Sequence, residues 1–231
     1  MSEFGLIVVA GGSSSRFGRN KLFERLDGRP VFVMCLQNLV PVVGVENAVL
    51  VVPSALRDEF RSILETFSLG GIRLADGGAD RAASVRSGLA ALPPNIEYVA
   101  VQDAARPFTT SALLRRCYAA AVQYGASVAA HRVTDTIKVS DGDGFAVSTP
   151  DRSTLWAAET PQVARRSLLE EAYRHCAENG IAVTDDVQAV QILGHRVKLV
   201  ENQEINIKIT YPQDLSFAES VCASLQNNKE Q

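Results

Sequence analysis

The chain has few of the features that mark membrane, secreted and metal-binding proteins. Its longest apolar stretches, residues 6–10 and 48–53, fall far short of the roughly 20 residues that span a bilayer. The four cysteines and three histidines show none of the spacings of zinc ligands. The first residues lack the basic start and long apolar middle of a signal peptide. These absences predict a cytoplasmic protein that has isolated reduced thiols and no membrane partner.

The chain also lacks an excess of positive charge. It carries 23 basic and 26 acidic residues, a formal net charge of −3, so no overall basic field exists to hold a nucleic-acid backbone. Hydrophobic residues make up 46% of the 231 and charged residues 21%, as is typical of a globular protein with a sizeable core. We therefore expect a folded protein without a nucleic-acid partner.

The first half of the chain alternates apolar runs with helical stretches. Residues 6–10 are a continuous apolar run rich in β-branched side chains, typical of a strand buried on both faces. Further strands are predicted at 48–52, 72–75, 98–102 and 127–130, and helices at 31–39, 54–67 (with Ser54 as N-cap), 82–92 and 111–124. This order predicts a Rossmann-like, mainly parallel sheet with helices on both faces. The loops after residues 10, 75 and 102 should meet where such sheets bind ligands.

The alternation breaks after residue 131. Residues 136–140 and 145–148 read as two strands joined by a tight turn, which predicts a β-hairpin arm at about 133–152 that projects from the sheet. Helices at 164–179 and 184–193, a strand at 197–200 and a helix at 211–224 complete the pattern. Since no linker or repeat interrupts it, residues 1–231 are expected to form one domain.

The loop after the first strand contains Gly11, Gly12 and a run of serines, followed by Arg16 and Lys21. Backbone N–H groups of such a loop can hold phosphate, and the two cations could both reach a triphosphate. The glycines match neither the Walker nor the dinucleotide pattern. The alternative is a solvated loop with two ordinary surface cations.

A second glycine-rich segment follows the third predicted strand. Asp76, Gly77 and Gly78 precede Ser84, so backbone could approach a flat ligand closely while polar groups line its edge. The alternative is a tight turn with Asp80 as a helix cap, which accounts for the glycines equally well.

A third polar segment, containing Asp103 and Arg106, follows the next strand. A carboxylate in a site for anions needs a compensating cation, and Mg²⁺ held jointly with substrate phosphates would supply one. The alternative is a structural salt bridge between Asp103 and Arg106.

Taken together, these segments resemble the motifs of the 2-C-methyl-D-erythritol 4-phosphate cytidylyltransferases, the nucleotidyltransferases of the non-mevalonate isoprenoid pathway. The resemblance rests on an ordered set that covers nearly the whole chain: Ala10-Gly11-Gly12 with Arg16 and Lys21, Asp76-Gly77-Gly78 with Arg81 and Ser84, Asp103-Ala104-Ala105-Arg106-Pro107, Asp135-Thr136, Asp151-Arg152, Trp156, Thr160-Pro161-Gln162, Thr184-Asp185-Asp186 and Asn206-Ile207-Lys208. Two departures are visible, because Gln102 stands where the family usually has histidine and the loop before Lys21 is shorter than usual.

The resemblance implies transfer of CMP from CTP to methylerythritol phosphate with release of pyrophosphate, and a requirement for Mg²⁺. It implies catalytic roles for Arg16, Lys21 and Lys208. It implies nucleotide contacts from Ala10, Gly11, Gly12, Asp76, Gly77, Gly78, Ser84, Asp103 and Arg106, with Asp103 also the metal ligand and Arg106 also near the acceptor. It further implies a homodimer with exchanged arms, in which Thr136 and Arg152 reach the acceptor phosphate of the neighbouring subunit.

Three other functions are alternatives to this one. A ribitol 5-phosphate cytidylyltransferase would share the nucleotide half of the motifs. A regulatory subunit that only binds nucleotide would not need both Arg16 and Lys21. A nicotinamide oxidoreductase is disfavoured because the dinucleotide fingerprint is absent.

Overall fold

The computed structural model describes residues 3–11 and 20–227. The strands are β1 (Phe4–Val9), β2 (Arg25–Leu26), β3 (Arg29–Pro30), β4 (Ala48–Val52), β5 (Arg73–Asp76), β6 (Tyr98–Asp103), β7 (Ala126–Arg132), β8 (Val139–Ser140), β9 (Ala146–Ser148), β10 (Trp156–Arg165) and β11 (Lys198–Glu201). The α-helices are α1 (Val31–Val43), α2 (Arg57–Thr66), α3 (Arg81–Ala91), α4 (Ser111–Tyr124), α5 (Arg166–Glu178), α6 (Asp186–Ile192) and α7 (Pro212–Asn227). None of the helices within these ranges has the length and apolar content to cross a membrane.

Seven strands form one central sheet in the order β11-β7-β10-β6-β1-β4-β5. Neighbouring strands are parallel except at β10, which runs antiparallel to both β6 and β7. The predicted fold class, a mainly parallel sheet with helices on both faces and a separate hairpin, is confirmed.

The core lies on both faces of this sheet because successive side chains of a strand point to opposite faces. In β1, Leu6 and Val8 pack with residues of α1, α2, α4 and α7, whereas Ile7 and Val9 pack with residues of α3, α5 and α6. All six residues of β1 are buried, as the continuous apolar run predicted.

The sequence interpretation was wrong between residues 156 and 165. The predicted helix at 164–179 begins only at Arg166, and the ten residues before it form β10 in the middle of the sheet. Pro161 disfavours a central strand because it cannot donate to the ladder. The structure accommodates it with a register shift between Ala158 and Gln162, where pairing with β7 is interrupted.

Two helix boundaries also differ from the prediction. The first helix continues past Pro41 to Val43. Ser54 does not cap a helix through its side chain, because residues Ser54–Leu56 form a short 3₁₀ turn and α2 begins at Arg57. Both differences move an element's end without changing the order of elements.

The hairpin arm projects away from the sheet as predicted. Its strands β8 and β9 pair only with each other, and its apolar side chains are open to solvent, with Phe145 72% and Val147 60% exposed. The arm strands therefore do not join the central sheet. An exposed two-stranded ribbon of this kind has little stability by itself.

Candidate functional site

The three predicted loops meet at the carboxyl edge of the sheet. The backbone N–H of Ala10 donates to the carbonyl of Val51 at 2.8 Å, and that of Ala104 donates to Val9 at 3.1 Å. A Cβ added to Gly11 or to Gly77 would contact the same atom, Ser84 Oγ, at 3.7 and 3.6 Å. The first and second loops therefore flank one hydroxyl group.

Ser84 and Asp80 shape the second loop. The Ser84 hydroxyl accepts from the N–H of Gly78 at 3.0 Å and donates to the carbonyl of Asp80 at 2.9 Å. Asp80 caps α3 by accepting from the N–H of Ala83 at 2.7 Å. A side chain on Gly78 would come within 2.3 Å of the Ala83 Cβ, so glycine is required here. Asp80 is thus a helix cap, as the alternative predicted. Gly78 and Ala79 remain exposed at the edge of the loop.

Asp76 lies at the same edge and is exposed. Its carboxylate accepts from Arg57 of α2 at 2.6 Å. The nucleotide contact predicted for Asp76 is thus in competition with a surface ion pair, which solvent weakens.

Asp103, the last residue of β6, is the centre of the charged groups at this edge. Its side chain is only 10% exposed, and it accepts from Arg81 at 2.7 Å and from Lys208 at 2.8 Å, with Arg106 Nε at 3.8 Å. Burial by itself would raise the pKa of the Asp103 carboxyl, but the charges of Arg81 and Lys208 outweigh burial and hold that pKa well below its usual range. The predicted salt bridge with Arg106 exists, and it is the longest of the three.

Arg81 connects Asp103 to a second buried carboxylate. Its other terminal nitrogen donates to Asp186 at 2.7 Å, and the Tyr173 hydroxyl also donates to Asp186. Burial would lower the pKa of Arg81, but the two carboxylates raise it above its ordinary value. Lys208 and Arg106 also face Asp103, and the carboxylate of Glu159 in the adjoining cavity wall acts on Arg106 as well.

The strand that sequence reasoning missed holds these charges in place. Thr160 of β10 accepts from the N–H of Asp103 at 3.1 Å, and Gln162 accepts from the N–H of Asp186 at 2.9 Å. Asn206 donates to the Thr160 carbonyl at 2.9 Å, and its own carbonyl accepts from Arg106 at 2.6 Å. These hydrogen bonds hold the segment that carries Lys208 against the loop after β6.

An open cavity of about 570 Å³ lies next to this cluster. Arg106, Lys208, His131, Glu159, Asn202 and Asn206 are among its lining residues. Thr136 and Arg152 are not among the described residues that line it. Arg152 is exposed and donates to the carbonyl of Thr134 at 2.7 Å. A single chain therefore places Arg106 and Lys208 at this cavity, whereas Thr136 and Arg152 do not line it.

Two of the predicted residues, Gly12 and Arg16, lie outside the described residues. Lys21 comes just after them in a turn, half-buried, with its carbonyl accepting from Glu24 N at 3.3 Å. Roles for Arg81 and Asp186 were not predicted, although both stood within recognised motifs. The sequence shows only that each is a charged residue within a motif, and this does not reveal a partner that is distant in sequence.

Asp103 is the residue at this edge that was predicted to bind a metal ion, and such an ion would be shared with a bound substrate. The part of the chain that the structure describes contains no cluster of three or more acidic, histidine or cysteine side chains that could hold a metal ion. Asp103 is a single carboxylate with both oxygens engaged. Mg²⁺ commonly binds through one or two carboxylates together with substrate phosphates, so an Mg²⁺ ion at Asp103 would need phosphate oxygens to complete its coordination.

Replacing Arg81 by methionine should destabilise the protein by about 3 kcal/mol at neutral pH, because two carboxylates lose their shared partner. The low pKa of Asp103 stabilises the fold above the pH at which an unfolded aspartate titrates, about 4. The difference between variant and wild type should therefore be complete above about pH 4 and shrink as the pH falls below that value toward the low pKa of folded Asp103. Urea unfolding at neutral pH and at a pH below about 4 measures this change. Arg57→Met, which breaks the exposed pair with Asp76, is the control and should cost less than about 1 kcal/mol; equal losses would contradict the central role of Arg81.

Comparison with known proteins identifies the family. Residues 4–224 match the family model described as 2-C-methyl-D-erythritol 4-phosphate cytidylyltransferase. The enzyme of that name from Geobacillus thermodenitrificans is 42% identical over 94% of this chain and 96% of its own length. The crystal structure of the 4-diphosphocytidyl-2C-methyl-D-erythritol synthase of Anaerococcus prevotii superimposes with a TM-score of 0.84 at 30% identity, covering 94% of this chain and 97% of that one. The chain belongs to the 2-C-methyl-D-erythritol 4-phosphate cytidylyltransferase family.

Proposed function

We propose that this protein transfers CMP from CTP to 2-C-methyl-D-erythritol 4-phosphate and releases pyrophosphate. The observation that carries the proposal is the group of cations around Asp103, namely Arg81, Arg106 and Lys208, which lies between the glycine loops and the cavity lined by Arg106 and Lys208. One side of this cluster suits a nucleotide and the other a phosphate monoester. Family membership supports the same pair of substrates.

The difficulty of this reaction is electrostatic. A phosphate dianion must approach the α-phosphorus of a triphosphate, and negative charge then accumulates in the transition state. Positioned cations reduce that repulsion, so the chain needs to supply orientation and charge rather than a nucleophile. We assign the α-phosphate and the leaving pyrophosphate to Arg16 and Lys21, and we assign the attacking phosphate to Lys208.

The nucleotide would lie over the loops that flank Ser84. The expected contacts are Ala10, Gly11, Gly12, Asp76, Gly77, Gly78, Ser84, Asp103 and Arg106, where glycines permit close approach of the backbone. Asp103 would hold the ribose or the Mg²⁺ ion, whose charge would offset that of the triphosphate. The Arg81 contact supports this role because it keeps Asp103 ionised and oriented.

The acceptor site would be completed by a second subunit. Arg106 and Lys208 line the cavity, whereas Thr136 and Arg152 lie on the exposed arm. We infer a homodimer in which each arm, residues 133–152, reaches the neighbouring cavity, so that Thr136 and Arg152 contact the acceptor phosphate there. The apolar arm residues would be buried in that exchange.

We also propose that the chain forms one domain and that it is located in the cytoplasm. Its central sheet is continuous from β5 to β11, which supports a single nucleotidyltransferase domain over residues 1–231. All four cysteines are free and buried, which supports a cytoplasmic location where thiols stay reduced.

Pyrophosphate release tests the function directly. With CTP, we expect rapid release with methylerythritol phosphate and little with ribitol 5-phosphate at equal concentration. Preference for ribitol phosphate would favour the other cytidylyltransferase. Nucleotide binding without release in either case would favour a regulatory subunit.

Lys21→Ala should lower the pyrophosphate-release rate by roughly a hundredfold or more, because one charge-assisted contact in a closed site is worth on the order of 3 kcal/mol. The fold should be unaffected, and a circular dichroism melt checks this. Arg25→Ala, which removes an exposed cation from β2, is the matched control and should keep its rate. Retention of more than about a tenth of wild-type activity by Lys21→Ala would rule out the assigned role.

Mixing two inactive variants tests the shared site. Lys21→Ala and Arg152→Ala proteins should each be inactive, but heterodimers formed by subunit exchange should contain one intact site. Activity of the mixture should therefore rise toward a fraction of that of the wild type. A mixture that stays inactive after exchange has been demonstrated by mass spectrometry, or a fully active monomer, would contradict arm exchange.

A further inference from the structure

The wall of the acceptor cavity contains a buried carboxylate that the proposed chemistry does not use. The Glu159 side chain is only 7% exposed. Its Oε2 accepts from the side-chain amides of Asn202 at 2.9 Å and Asn206 at 2.7 Å, and its Oε1 lies 2.7 Å from His131 Nδ1. An ionised carboxylate is costly to bury unless its oxygens are hydrogen-bonded, and three groups are directed at this one, two from the segment between β11 and α7 and one from β7.

The sheet register explains how these groups meet. Ala157 of β10 is paired with His131 near the end of β7, and the register of the two strands shifts between Ala158 and Gln162. Glu159 lies in that interrupted stretch, where a side chain can be turned out of the normal alternation. Asn202 follows β11, and its N–H donates to Ala130 at 2.8 Å. The chain thus places Asn202 and His131 on either side of one carboxylate.

This contact determines which nitrogen of His131 carries hydrogen. Carboxylate oxygens only accept, so Nδ1 must be the donor toward Glu159. In the neutral ring the lone pair is then on Nε2. His131 is 52% exposed at its side chain and lines the cavity together with Arg106 and Lys208. Nε2 is therefore the ring nitrogen available to a ligand in that cavity.

We propose that His131, oriented by Glu159, accepts a hydrogen bond from a hydroxyl group of the acceptor's polyol chain. Arg106 and Lys208 are cations that suit the phosphate of the acceptor, whereas the Nε2 lone pair of an imidazole suits a hydroxyl donor. His131 is then a substrate-contacting specificity residue and Glu159 its positioning residue. This inference rests on the proposed function, since it concerns the same acceptor.

Steady-state kinetics of His131→Ala test the contact. We expect the KM for methylerythritol phosphate to rise roughly tenfold while kcat and the KM for CTP stay near wild type, as for loss of one hydrogen bond made equally in ground and transition states. His131→Gln, whose side-chain carbonyl can also accept, should recover part of the loss. His175→Ala, on α5 and not among the residues that line the cavity, is the matched control.

Acceptor analogues that each lack one hydroxyl identify the group that is bound. For one analogue the wild-type KM should rise by a similar factor, and His131→Ala should add no further loss, because both changes remove the same contact. If His131→Ala costs the same factor with every analogue, the hydroxyl contact is wrong.

Glu159→Gln tests the positioning role. It should raise the KM for the acceptor alone and should be non-additive with His131→Ala. An effect of Glu159→Gln that adds fully to that of His131→Ala, or an equal rise in the KM for CTP, would overturn the positioning role and leave Glu159 as a structural carboxylate.

The outcomes also distinguish failure of the proposed function from failure of the His131 contact. Wild-type protein that releases no pyrophosphate with methylerythritol phosphate would overturn the proposed function and this inference with it. Wild-type turnover together with an unchanged acceptor KM in His131→Ala would overturn this inference alone.

Discussion

The structure of the site depends on one buried negative charge. Asp103 ends a fully buried strand, so its carboxylate is removed from water and needs compensation. Arg81 and Lys208 provide it from the start of α3 and from the segment before α7, over 100 residues apart in sequence. Because each cation is fixed by this contact, the loop after β5 and the segment around Lys208 are brought to the same edge of the sheet.

The antiparallel strand β10 is the second constraint. It lies between two parallel strands and places Thr160 against Asp103, Gln162 against Asp186, and Glu159 against His131. One strand thus contacts both the charged groups around Asp103 and the wall of the neighbouring cavity. A change in its register would move both sides, since side chains on a strand alternate between faces.

The hairpin arm differs from the strands of the central sheet, because its strands β8 and β9 pair only with each other. Phe145 and Val147 are 72% and 60% exposed, and the Arg152 side chain donates to the carbonyl of Thr134 at the base of the arm. A segment with exposed apolar residues is suited to a second subunit. The proposed two-subunit site is consistent with the separation of Arg152 from Arg106 and Lys208.

The sequence alone determined the alternation of strands and helices, the projecting hairpin and the three loops that meet at the sheet edge, because these follow from local periodicity, glycine positions and apolar runs. Its motifs also indicated Asp103, Arg106 and Lys208 as members of one site. It did not reveal β10, since Pro161 and the interrupted register hide a strand whose pairing is decided by distant neighbours. Nor could it reveal that Arg81 joins Asp103 to Asp186 or that Glu159 contacts His131. Those contacts exist only because tertiary packing removes the carboxylates from water and makes each require a partner.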